Sequence, residues 1–278
     1  MKAATAIGIG ATLAGLLIGI LMEGSSPAAL INIPAALIVF VGTFGVTLAG
    51  TSMDKMKQIP ALYKRAISPP DLDLPGRVDL LVDYAEKARR DGLLALDDQL
   101  STIDDEFTRK GFQLVVDGTD PELVREILDN EIDGMVARHH ASARPFEKAG
   151  GFAPTMGIIG TVLGLVHVLE NLSAPETLGP SISGAFIATL FGVGAANVVF
   201  LPVSNKLKEI SEEEVELRTV TVEGILAVQA GDNPRVVADK LRSFIAPSER
   251  DRDRTDSGQS GGGGDDAPAA AEPAQAAA

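Results

Sequence analysis

Hydrophobic and polar positions are unevenly distributed along this chain, and their clumping sets its architecture. Four apolar runs stand out, at about residues 1–22, 31–50, 153–172 and 182–203. Each is close to 20 residues, the length a helix needs to cross ~30 Å of hydrocarbon. The first run reads as a membrane helix rather than a cleaved leader, because it is long for a leader's apolar core and a second run follows almost at once. Pro27 and the Ser pair in 23–30 mark a turn, and Pro34 suits the first turn of the second helix. Between the pairs, residues 51–150 lose this character and take a helical stripe. Val78, Leu81, Val82 and Ala85 share one face, and Asp91-Gly92 breaks that helix. A second helix is expected from near Leu93, carrying Leu96, Leu100, Ile103 and Phe107. Asp117-Gly118 is a turn signal, and Asp120-Pro121 starts a helix with Val124, Ile127, Leu128, Ile132 and Met135 that runs towards Pro145. After Pro202 the helix continues with Leu207, Ile210, Leu217, Val220 and Ile225 until Gly231, and Asn233-Pro234 caps a last short helix.

The expected fold is therefore an all-α membrane protein. Its parts are spans one and two in 1–50, a cytoplasmic helical domain in 51–150, spans three and four in 151–204, a helical extension in 205–246 and a disordered tail in 247–278. The tail is charged, then Gly-rich, then Ala/Pro-rich.

Charge sets the expected orientation. Lys55, Lys57, Lys64 and Arg65 follow the second run, Arg138, Arg144 and Lys148 precede the third, and Lys206 and Lys208 follow the fourth. The short loops 23–30 and 173–181 carry no Lys or Arg. By the positive-inside rule, both termini and 51–150 are cytoplasmic in a multi-pass membrane protein. Of the 278 residues 45% are hydrophobic, and the net charge is -14. That acidity argues against a nucleic-acid partner, which needs a basic face. The absence of cysteine excludes disulfides, thiolate metal sites and a catalytic thiol. No nucleophile–base pair, phosphate loop or metal-ligand spacing is present, so an enzyme is not expected and no cofactor or metal is implied.

Candidate chemistry lies inside the second pair of runs. Gly157, Gly160 and Gly164 recur at helical spacing in the third run, and Gly184, Ala188, Gly192 and Ala196 recur every four residues in the fourth. Small residues at that spacing let helix backbones approach closely in lipid. Thr161, Thr189 and Asn197 are polar groups among them, with Pro154 and Pro202 at the inner ends. Each threonine can bond its own helix carbonyl, or the two can offer hard oxygens to a small cation or its water shell. No acid lies near the middle of any run. Glu170 and His167 sit at the outer end, as interfacial residues. An ion path would therefore take its carboxylate from a second protein.

The segments FAPTMGIIGTVLGLV, IATLFGVGAANVVFLPVSNKL and EGILAVQAGDNPRVVADKLRSFI resemble the flagellar stator A subunit, the MotA/PomA family, distantly similar to the TolQ/ExbB energisers. The likeness covers nearly the whole chain before the tail. It implies a homopentameric ring in membrane lipid around a MotB/PomB-like B subunit whose membrane helix carries an Asp. It further implies a cation, Na+ or H+, as transported species, and FliG as the rotor partner. By the same resemblance Arg89 matches the rotor-contacting Arg, with Arg90 as an extra neighbouring cation. Asp97 matches the family's paired acid and is one methylene shorter than the usual Glu. Pro154 and Pro202 match the two prolines tied to conformational coupling. Threonine at both Thr161 and Thr189 is the pattern of sodium-driven members, so sodium is expected over protons. An energiser of the TolQ/ExbB type and a non-conducting scaffold are the alternative readings.

Overall fold

Two of the four apolar runs are parts of helices much longer than a membrane is thick. The computed structural model describes residues 4–24, 26–173 and 175–245, all helix and turn with no strand among them. In order these are α1 (Ala4–Met22), α2 (Ile33–Ala49), α3 (Met53–Ile67), α4 (Leu74–Asp91), α5 (Glu106–Val116), α6 (Pro121–Glu170), α7 (Pro175–Ala230) and α8 (Pro234–Arg242). The expected tail, 247–278, lies outside the described residues.

α6 has 50 residues and α7 has 56, so at 1.5 Å per residue they run about 75 Å and about 84 Å. Only about 30 Å of each is needed to cross hydrocarbon. The remainder of both helices leaves the apolar zone and forms two walls of a polar lobe. α1, α6 and α7 are long and apolar enough to span. α2 has the same character but is shorter, at 17 residues. It also contains a π-helical stretch, Leu37–Val41.

Local signals explain most helix ends. Asn32 caps α2, its side chain accepting from the Ala35 N–H at 2.9 Å. Gly92, Gly118 and Gly231 have φ of 86°, 76° and 72°, the left-handed region that glycine adopts without a Cβ clash, and each lies just past a helix end. Asp120 and Asn233 cap α6 and α8, each followed by Pro at the first helical position. The outer connection differs from the expected loop 173–181. The turn is confined to residues 171–173, and α7 already begins at Pro175 with Glu176 in its first turn, where the helix dipole favours an acid.

The helix expected from Leu93 is broken. A 3-10 turn (Leu93–Leu96) and one helical turn (Asp97–Leu100) precede α5. The break is held by side chains. Thr102 donates to the Gln99 carbonyl at 2.7 Å, and Arg109 donates to the Ile103 carbonyl at 2.9 and 2.7 Å. Asp105 accepts from the Thr108 N–H at 3.0 Å and so restarts the helix. Leu96, Leu100, Ile103 and Phe107 are nonetheless all buried.

The main core lies in the polar lobe, where Leu81, Phe107, Phe112, Leu128, Ile225 and Leu241 are essentially inaccessible. A second cluster joins lobe to membrane: Ile59, Leu62 and Tyr63 of α3 pack on Phe146 of α6 and on Val203 and Leu207 of α7. α3 was not anticipated as a separate packing helix. Its cationic residues share it with an apolar stripe that ends in the fully buried Ala66.

Candidate functional site

Small residues let α6 and α7 meet almost backbone to backbone. A Cβ added at Gly157 would lie 2.9 Å from the Ala188 carbonyl oxygen and 3.3 Å from the Gly192 Cα. One at Gly192 would collide with the Ala153 carbonyl. At Gly160 it would meet the Ala188 Cβ at 2.8 Å, and at Gly164 the Ala185 Cβ at 2.7 Å. Gly184 instead faces α2, against the amide of Asn32. Ala188 joins Ala35, Val39 and Ile187 in a small apolar cluster linking α2 to α7.

Thr161 and Thr189 come together at this crossing. Their hydroxyls share a hydrogen bond, and Thr161 Oγ1 also lies 3.1 Å from the Gly157 carbonyl and 3.0 Å from the Ala185 carbonyl. Two hydroxyls own two protons. If Thr189 donates to Thr161 and Thr161 donates to a carbonyl, the lone pairs of Thr189 remain unused. In that arrangement the pair satisfies a backbone carbonyl and leaves the Thr189 oxygen free to accept. Both side chains are half-buried.

Asn197 does not join them. Its Nδ2 donates to the Val193 carbonyl at 2.9 Å, and its side chain faces α1 rather than the threonine pair. It sits in a π-helical stretch, Ala195–Phe200, that ends two residues before Pro202. Proline has no N–H and its ring presses on the carbonyl four residues back. Opening the preceding turn to the wider π spacing relieves that clash without ending the helix. Pro154 lies within α6 three residues before Gly157. Both prolines therefore sit on the lobe side of the crossing, in helices that continue through them.

The charged candidates lie in the lobe. Arg89 and Arg90 are exposed in the last turn of α4, and Asp97 is exposed just beyond Gly92. Arg90 holds Asp91 in a two-point contact, 3.0 and 2.9 Å. That partner keeps the Asp91 carboxyl below its ordinary range. Arg89 and Asp97 form no ion pair with each other or with another described residue. Leu94, in the turn between them, is 75% exposed. The stretch from Arg89 to Asp97 therefore exposes two cations, two acids (Asp91 and Asp97) and an uncovered apolar side chain.

Sequence reading missed the connection between crossing and lobe. Arg65 of α3 pairs with Glu214 of α7 at 2.9 Å, and Glu214 also takes Arg218 at 3.2 Å. The Arg218 guanidinium stacks 4.7 Å from the Phe107 ring centroid. Lys148 donates to the Gly50 carbonyl, tying the end of α2 to α6. Arg65 and Glu214 are 149 positions apart, so only the basic flank of α3 and the acidic face of α7 pointed to them.

Comparison with known proteins agrees with this geometry. Residues 99–219 match the MotA/TolQ/ExbB proton channel family. Motility protein A of Borreliella burgdorferi is 37% identical over 90% of this chain and 96% of its own length. Motility protein A of Bacillus subtilis is 36% identical over 90% and 93%. Among solved structures, the flagellar MotAB stator complex from Bacillus subtilis matches with a TM-score of 0.84 and 35% identity over 89% of this chain and 97% of that one. The structure of C. jejuni MotAB matches equally well, with a TM-score of 0.84 at 30% identity. An all-helical chain in which two long helices cross on small residues inside the apolar zone and continue into a polar lobe, similar along nine-tenths of its length to these proteins, belongs to the MotA/TolQ/ExbB family.

Proposed function

We propose that this chain is the A subunit of an ion-driven flagellar stator. Five copies surround a B subunit whose single membrane helix supplies the ion-carrying Asp. Sodium passes the Thr161–Thr189 oxygens, and the polar lobe pushes the rotor protein FliG through Arg89, Arg90 and Asp97. Both termini and the lobe are cytoplasmic, α2 is a fourth span, and the lobe comprises 51–150 with the extension from 205 onward. The carrying observation is the hydroxyl pair at the crossing of two helices that continue unbroken into the lobe. A small shift at the crossing moves the lobe as a lever. Pro154 and Pro202, flanking the crossing, are where each helix gives. No described span carries an acid near its middle, which supports a partner-borne carboxylate.

Proton coupling is the second reading for the ion. It is favoured by the bonds from Thr161 to its own and the neighbouring helix carbonyls, which give the hydroxyl a packing role. An energiser of the TolQ/ExbB type shares the family. Deletion separates the readings by output: the stator reading requires flagellated but non-swimming cells, restored by supplying this chain together with its B partner. Cells that swim normally and lose an envelope-transport process instead would refute it.

A further inference from the structure

α1 stands off from the rest of the molecule. None of its residues from Thr5 to Met22 is buried, yet it lies alongside α7. Two cavities occupy the gap. One, of about 400 Å3, is bordered by Thr5, Thr12, Asn197, Asn205, Lys206 and Glu209. The other, of about 380 Å3, is bordered by Leu13, Leu16, Ile20, Phe40, Phe191 and Val198. Val198 lines both, so they form one groove with a polar end and an apolar length.

We propose that this groove holds one phospholipid of the leaflet next to the polar lobe, with a phosphoethanolamine headgroup. The assignment rests on the membrane reading above. The polar end lies where the basic flank of α7 begins. From Lys206 to Val198, α7 rises about 12 Å, most of one leaflet's share of a ~30 Å hydrocarbon. The order of surfaces along the groove is that of an amphiphile.

The charges select the headgroup. Lys206 is nearly covered, its side chain 11% exposed, and its ammonium lies 2.9 Å from Glu209 Oε1. An ammonium has three donors, so two remain for a phosphate, with the Asn205 amide beside them. The Glu209 side chain is 49% exposed and offers its second oxygen to an amine. A cation and an acid side by side match a group that carries a phosphate and an ammonium. A headgroup with phosphate alone would leave Glu209 facing negative charge.

The chain has no cysteine, so Val198→Cys can carry a benzophenone label placed in the groove. Irradiation in native membranes should give an adduct heavier by one phosphatidylethanolamine, and Lys206→Ala or Glu209→Ala should lower its yield about tenfold. Ile158→Cys, exposed elsewhere on α6, should label lipids without headgroup preference. A protein adduct at Val198, or a lipid adduct indifferent to Lys206 and Glu209, would overturn the proposal. The stator reading is scored separately. Swimming cells without the lipid adduct lose only the lipid site, whereas absence of the chain from the membrane fraction removes the membrane reading itself.

Discussion

The same two helices, α6 and α7, are held together by opposite means at their two ends. In the apolar zone the contact is made by Gly157, Gly160, Gly164, Ala188 and Gly192, with backbones nearly touching. In the lobe it is made by Leu128 and Ile225, wedged with Phe107, Phe112, Leu81 and Leu241 and ringed by ion pairs such as Arg125–Glu223 at 2.7 Å. Water drives large apolar side chains together at the lobe end. At the other end lipid is as apolar as leucine, so bulk gains nothing and only close van der Waals contact and hydrogen bonds favour pairing. The bound end is therefore deep and unyielding. The other end is held by close backbone contact, with two hydroxyls and two prolines near it. In the stator function proposed above, that asymmetry is what a lever requires.

The largest expected effect comes from putting lobe-style packing into the membrane. Gly157→Leu or Gly192→Leu forces side chains into backbone and should abolish swimming, while the lobe keeps its fold. Proteolytic mapping of the lobe alongside a motility assay checks this, and normal swimming of either variant would contradict the crossing. The converse change, Leu128→Ala, opens the lobe core and should cost about 2–5 kcal/mol. It is read as an earlier thermal transition in detergent, with the membrane crossing intact. Third, the double variant Arg89→Asp, Arg90→Asp leaves both packings untouched. It should impair swimming with assembly and ion flux unchanged, because rim charges of this kind set registration with a partner. Unaltered swimming would remove this stretch from the account.

The smallest effect concerns pH at the joint. Burial pushes the His139 imidazole below its ordinary value, and Arg65, Arg218 and Arg138 act in the same direction against Glu214. Its ring lies 3.1 Å from the Ser211 hydroxyl. The unfolded chain then takes up a proton before the folded one, so stability falls as pH drops through the ordinary imidazole range. Below that, Asp105 and Glu223 matter. Burial raises both, but Thr108 and Arg77 outweigh it at Asp105, and Lys240 and Arg125 outweigh it at Glu223. Their stabilisation is present above the ordinary carboxyl range and is lost as pH falls towards their lowered values. Melting temperatures from pH 7.5 down to 5 should decline, and His139→Gln should flatten that decline.

Local signals in the sequence reached far into this fold. Gly92, Gly118 and Gly231 each end a helix where the residue type predicts, and of the four-residue series Ala188 and Gly192 lie at the crossing while Gly184 faces α2. Thr161 and Thr189, expected on neighbouring helices, share a hydrogen bond. What stayed hidden was partly remote in sequence, as with Arg65 and Glu214, and partly local side-chain bonding that apolar spacing does not encode. The Asp97–Phe107 break is set by Thr102, Asp105 and Arg109 bonds, although its apolar spacing is that of a continuous helix. Asn197 shares a helix with Thr189 but lies two turns further on and faces α1. Arg89 and Asp97 were assigned by resemblance, and the ion pair the structure forms there is between Arg90 and Asp91.

The central claim is that the threonine crossing passes the ion whose flow turns the lobe. It is tested most directly by swimming speed against external sodium at fixed pH, in cells driven by this chain and by Thr161→Ala. The account predicts that speed rises and saturates with sodium, resists a protonophore, and shifts to higher sodium in the variant. Speed indifferent to sodium, collapsing with the protonophore and unchanged in Thr161→Ala, would contradict it and leave the hydroxyl pair as packing.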